Sequence, residues 1–141
     1  MLNSLPPVIV TPLCRVKHPK GDVLHGIKSS DIGYASFGEA YFTTIIFGET
    51  KGWKKHTTMI MNIIVPLGIV RFHLLDETVK KTAVYEVGDV NYTRLTIPAG
   101  YWVAFEGMSL GTNLILNVAS HEHDPEEALN APLDTYSLAS E

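Results

Sequence analysis

The chain has 141 residues, the length of about one domain, enough for one packed core and too short for two of ordinary size. Hydrophobic residues make up 45% and charged residues 18%, a globular composition that excludes a disordered chain. Lys and Arg number 11 against 15 Asp and Glu, a formal charge of −4, so no basic stripe points to nucleic acid, although local Lys or Arg can still hold a phosphate.

A single cysteine, Cys14, cannot close an internal disulfide, so the hydrophobic core must carry the fold and a reducing cytoplasm is the expected location. The N-terminus lacks a basic region, and Pro6, Pro7 and Pro12 interrupt its apolar residues, which is not the pattern of a secretory signal. The longest apolar run, residues 59–70, is broken by Asn62, Pro66 and Gly68 and is too short to span a bilayer.

In chain order, the first 30 residues are loose and read as an arm that pairs with a sheet edge, in this subunit or a partner. Short runs of β-branched and aromatic residues follow, each stopped by Gly or Pro. They cover residues 39–47, 57–67, 69–75, 83–87, 92–97, 101–105 and 113–119. Seven or so strands at near-regular spacing predict an all-β sandwich or barrel. The tail from Asp124 is predicted to hold one helical turn, with Asp124 as N-cap, Pro125 first, and Glu126 and Glu127 suiting the dipole.

Four constellations bear on chemistry. In Lys51-Gly52-Trp53-Lys54-Lys55-His56, a Gly-containing turn leads into a strand that places Lys54 and His56 on one face. A like charge beside His56 lowers its proton affinity and suits a general base. The bland alternative is a solvated basic turn. In residues 69–75, alternation sends Arg71 and His73 to one face and Val70, Phe72 and Leu74 to the other. Arg71 and His73 then line a ligand cavity as an anion clamp, or else face water over an apolar core. After the Pro98-Ala99-Gly100 turn, Tyr101 and Trp102 stack on a base or sugar, or fill a barrel end. Ser120-His121-Glu122-His123-Asp124 carries metal-ligand residue types, but no third His or Cys stands at a helpful spacing, so no metal site is assigned.

Three stretches together resemble a known family: residues 37–44 (FGEAYFTT), Lys51-Gly52-Trp53-x-x-His56, and Ile97-Pro98-Ala99-Gly100-Tyr101-x-x-Ala104-Phe105. Their order and spacing are similar to the dTDP-4-dehydrorhamnose 3,5-epimerases and the dTDP-4-keto-6-deoxyhexose 3,4-ketoisomerases. The resemblance covers roughly residues 5–130. It implies one cupin domain over residues 1–141, a jelly-roll-like β-barrel, as a homodimer with residues 1–30 exchanged between subunits. It further implies a nucleotide-linked 4-keto-6-deoxy sugar as substrate, proton abstraction beside the ketone, no cofactor, no metal, and a place in surface polysaccharide or lipopolysaccharide biosynthesis.

The family motifs also mark departures. The epimerases' basic His falls on Lys54, and their Arg on Lys51. The ketoisomerases' His-x-His keeps only its second member, His56. The His that follows the family's Pro-x-Gly is here Val103, the epimerases' acid Tyr falls on Leu116, and the ketoisomerases' Tyr falls on Thr43. The expectation is therefore an isomerase or epimerase with His56 as base and Lys54 steadying the enolate, or Lys54 itself as base. Lys51, Arg71, His73, Tyr101 and Thr43 are the expected substrate contacts. Two other readings stand beside it: a cupin that binds a sugar nucleotide or partner enzyme without turnover, and a plain structural dimer module.

Overall fold

The computed structural model describes residues 3–138. Its strands are β1 (Ile9–Pro12), β2 (Arg15–Val16), β3 (Val23–Leu24), β4 (Glu39–Ile45), β5 (Thr50–His56), β6 (Met61–Leu67), β7 (Ile69–Asp76), β8 (Lys81–Gly88), β9 (Thr93–Ile97), β10 (Trp102–Gly107), β11 (Asn113–Ala119) and β12 (Ala128–Asn130). One five-stranded antiparallel sheet has the order β1-β9-β6-β11-β4, and a second has the order β12-β5-β10-β7-β8. The small hairpin β2–β3 stands apart from both. This is the cupin-like, all-β architecture expected from the sequence, although the two sheets do not close into a barrel.

Alternation explains the core. Inward residues of both sheets, among them Ile63, Val65, Phe72, Leu74, Leu95, Ile97 and Ile115, form one buried cluster. Each such side chain contributes about 1.5–3 kcal/mol by leaving water. A second, smaller cluster of Trp53, Leu75, Trp102 and Ala104 is covered by Ala131 and Tyr136 of the C-terminal tail. The Trp53 indole N–H donates to the Leu133 carbonyl at 3.0 Å, so both tryptophans serve to fasten the tail. β1 pairs with β9 of its own chain, Ile9 opposite Thr96.

Two elements differ from the sequence reading. Residues 50–56 form a full strand, β5, where a turn leading into a strand was expected, and residues 57–60 are the break. Its Lys-rich composition hides the strand, because the side chains it turns inward are polar. The tail's expected helical turn is a single reverse turn: Asp124 Oδ1 accepts the Glu126 N–H at 3.0 Å, as a cap would, and the chain then extends into β12. A short 3-10 turn comes later, at Leu133–Thr135.

Candidate active site

A cavity of about 340 Å3 lies between the sheets. The first sheet sends Tyr41 and Thr43 from β4, Met61 and Ile63 from β6, and Ile115 and Asn117 from β11. The second sends Lys51, Lys54 and His56 from β5 and Phe72, Val103 and Phe105 from β7 and β10. Asn130 and Ala131 of the tail complete the lining.

A β-bulge explains how Lys51, Lys54 and His56 face one cavity. Val103 pairs with Lys54 and Phe105 with Lys51, so Gly52 and Trp53 together stand opposite the single residue Ala104. Two residues against one shift the alternation and turn Lys51 inward with Lys54. Gly52 makes this approach feasible: a Cβ there would lie 2.5 Å from Ala104 Cβ and 2.8 Å from its Cα.

His56 is buried, and its Nδ1 is hydrogen-bonded to Glu127 Oε1. An ionised carboxylate only accepts, so Nδ1 carries the proton and Nε2 is the basic nitrogen. The other oxygen of Glu127 accepts the backbone N–H groups of Thr58 at 2.9 Å and Met59 at 3.0 Å. Burial alone would raise the Glu127 pKa. The bond from His56 and the two backbone N–H donors overcome that and lower it to about 2. The imidazole is thus held by a fixed charge that is itself held by the main chain.

Charge in the cavity runs against that of the whole chain. The net charge is −4, yet among the described residues the lining includes Lys51 and Lys54 and no carboxylate. Lys51 Nζ donates to the Thr44 carbonyl at 2.8 Å. The Lys54 side chain has no hydrogen bond or ion pair among the described residues. Its ammonium is free to meet an anion or a developing negative charge.

Of the expected site residues, His56, Lys54, Lys51 and Thr43 come together in this cavity. Arg71 and His73 do not. Phe72 lines the cavity, so its neighbours on β7 face the opposite side of the sheet. There Arg71 pairs with Glu86 at 2.9 Å and Glu106 at 3.7 Å, and His73 Nε2 meets Glu106 at 2.8 Å. Tyr101 is also outside: its hydroxyl donates to the Pro6 carbonyl at 2.6 Å and its ring packs on the main core. Leu116, matched to a family tyrosine, faces away from the cavity between the inward Ile115 and Asn117.

Three residues were missed. Tyr41 shares the inner face of β4 with Thr43, and alternation counted back from Thr43, the position the resemblance marks, would have found it. Asn117 lies one residue beyond Leu116 and faces the cavity, which no single sequence reveals. Glu127 is separated from His56 by 71 positions, and its neighbours read only as a helix start.

No family model matches the chain, and no curated protein matches it. Solved structures do. A dTDP sugar isomerase from Desulfovibrio desulfuricans G20 superposes with a TM-score of 0.86 at 27% identity, over 91% of this chain and 85% of that one. Its fold is that of the dTDP-sugar isomerases and epimerases. The 3,4-ketoisomerase of Thermoanaerobacterium thermosaccharolyticum, solved with TDP-4-keto-6-deoxyglucose, gives 0.75 at 19% identity, over 89% of this chain and 88% of that one. The dTDP-4-dehydrorhamnose 3,5-epimerase of Sulfolobus tokodaii gives 0.78 at 17% identity, over 96% and 85%. These are the two enzyme types whose motifs the sequence resembles.

Proposed function

We propose that this protein is a nucleotide-sugar isomerase or epimerase acting on a dTDP-4-keto-6-deoxyhexose. The observation that carries the reading is the His56–Glu127 pair, a base fixed in one tautomer at the wall of a cationic cavity. His56 Nε2 takes the proton from the carbon beside the ketone, and the C–H electrons pass to the carbonyl oxygen as an enolate. Lys54 faces that developing charge. Return of a proton to the same carbon from its other face gives the epimer, and return to the former carbonyl carbon gives the isomeric ketone once the neighbouring hydroxyl has passed its proton to the old carbonyl oxygen. Lys51 and Thr43 hold the rest of the substrate.

The setting that goes with this activity is cytoplasmic synthesis of a surface polysaccharide such as lipopolysaccharide. The single cysteine agrees with that compartment, and no helix among the described residues is long and apolar enough to cross a membrane. A homodimer is part of the proposal, with residues 1–30 exchanged or paired across subunits. Supporting it, the outer face of β4 and β11 sets Ala40, Phe42 and Thr44 against Val118, Leu116 and Leu114. Phe42 is 64% exposed on that face, a pattern that marks interfaces.

A second reading, binding without turnover, is favoured by Lys54 and Val103 at positions where the resembled family has histidine. Incubation with dTDP-4-keto-6-deoxyglucose, followed by NMR of the sugar and by calorimetric titration, separates the two. A new sugar product supports the enzyme, binding with an unchanged sugar supports the second reading, and neither result rejects both.

A further inference from the structure

Asn117 is buried in a largely apolar surround, 2% exposed, where an aliphatic residue would avoid the cost of a polar group. Beside a bond from Nδ2 to Met59 Sδ at 3.8 Å, its amide makes two bonds that fix its orientation. Oδ1 accepts the backbone N–H of Asn62 at 3.2 Å, and Nδ2 donates to the Tyr41 hydroxyl oxygen at 2.9 Å. A backbone N–H can only donate, so turning the amide over would set two donors against each other. Asn62 is fixed in the same way: its Oδ1 accepts the Thr96 hydroxyl at 2.6 Å and its Nδ2 donates to the Gly33 carbonyl at 3.0 Å. The polar chain therefore has one direction, ending on the oxygen of Tyr41.

An oxygen that receives a donor must send its own proton elsewhere. The Tyr41 hydroxyl has no acceptor among the described residues, and the side chain lines the cavity. β4 and β5 belong to different sheets, so Tyr41 reaches the cavity from the wall facing His56. We infer that Asn117 is a positioning residue that turns the Tyr41 proton into the cavity, making Tyr41 the donor that completes the reaction His56 begins. This rests on the enolising chemistry proposed above. In the step, the Tyr41 O–H proton goes to the substrate enolate and its bonding electrons stay on the phenolate oxygen. The Asn117 N–H, already aimed at that oxygen, stabilises the charge, and solvent returns the proton.

Asn117→Asp tests this while nearly preserving shape. A carboxylate there accepts the Tyr41 O–H and turns the proton away from substrate. Product formation from dTDP-4-keto-6-deoxyglucose is expected to fall at least about 100-fold in kcat, the loss of one general acid, with KM within about threefold. In a Tyr41→Phe background the same change should cost less than about threefold more, because the donor is already gone. Fold-losses that multiply across the two variants would show a structural role for Asn117 and overturn the inference. So would an Asn117→Asp enzyme with wild-type kcat. If Asn117→Asp melts below the assay temperature, Asn117→Ser, too short to reach Tyr41, takes its place in the same cycle. A wild-type protein that neither turns over the sugar nor exchanges its protons would reject the enolising reading itself, a result separate from either of these.

Discussion

His56 is placed by a residue from the far end of the chain, and the pair behaves as one unit. His56→Gln should lower turnover by roughly 100- to 10,000-fold, the range for losing a general base, measurable by steady-state kinetics on the folded variant. Glu127→Gln should lower kcat more than it raises KM, since a neutral amide no longer enforces the Nδ1–H tautomer. It also changes the response to acid. The folded Glu127 pKa is near 2 against an ordinary 4.5, so its contribution is fully present above pH 4.5. It is lost as pH falls from 4.5 toward 2, amounting to at most roughly 3 kcal/mol. Melting curves across that window should show the wild type losing stability more steeply than Glu127→Gln. Equal slopes would mean that the carboxylate is not held as described. Conversely, Arg71→Ala should leave KM within about twofold, because Arg71 lies on the face away from the cavity among Glu86 and Glu106.

At the scale of elements, β5 carries the site and was the least legible strand. Sequence rules find strands by apolar side chains turned inward. β5 turns inward Lys51, Lys54 and His56, and its bulge breaks the alternation on which such rules depend. The strands whose inward faces are mostly apolar, β6, β7, β9 and β11, stood out plainly for the opposite reason. The Lys54/His56 face was legible because it follows from alternation inside one strand, and Thr43 because the family resemblance marks its position. Tyr41 was available to alternation counted from Thr43, whereas Glu127 and Asn117 depend on which strands meet, which only the folded chain decides. The bulge makes a testable demand: Gly52→Ala places a methyl against Ala104 and should cost about 1–3 kcal/mol, as overpacking does. Thermal denaturation should show the loss, and Ala104→Gly in the same chain should restore part of it.

For the whole molecule, composition and turn spacing were enough to predict an all-β sandwich or barrel, because hydrophobic runs separated by Gly and Pro leave few alternatives, and the cupin-like form was what the family resemblance implied. Open sheets rather than a closed barrel leave the cavity that the chemistry needs, and the tail contributes Asn130 to its lining and Glu127 to the support of His56 while Trp53 and Tyr136 fasten the tail down. The outer face of β4 and β11 makes the proposed dimer testable: Phe42→Asp should shift sedimentation to the monomer, and an already monomeric wild type would remove that part of the account. The most direct test of the central claim is proton NMR of dTDP-4-keto-6-deoxyglucose with the protein in deuterated water, run beside His56→Gln. The account predicts that the wild type washes out the proton on a carbon next to the ketone and that His56→Gln slows this by at least about 100-fold. Retention of every ring proton by the wild type, or equal exchange in both proteins, would contradict it.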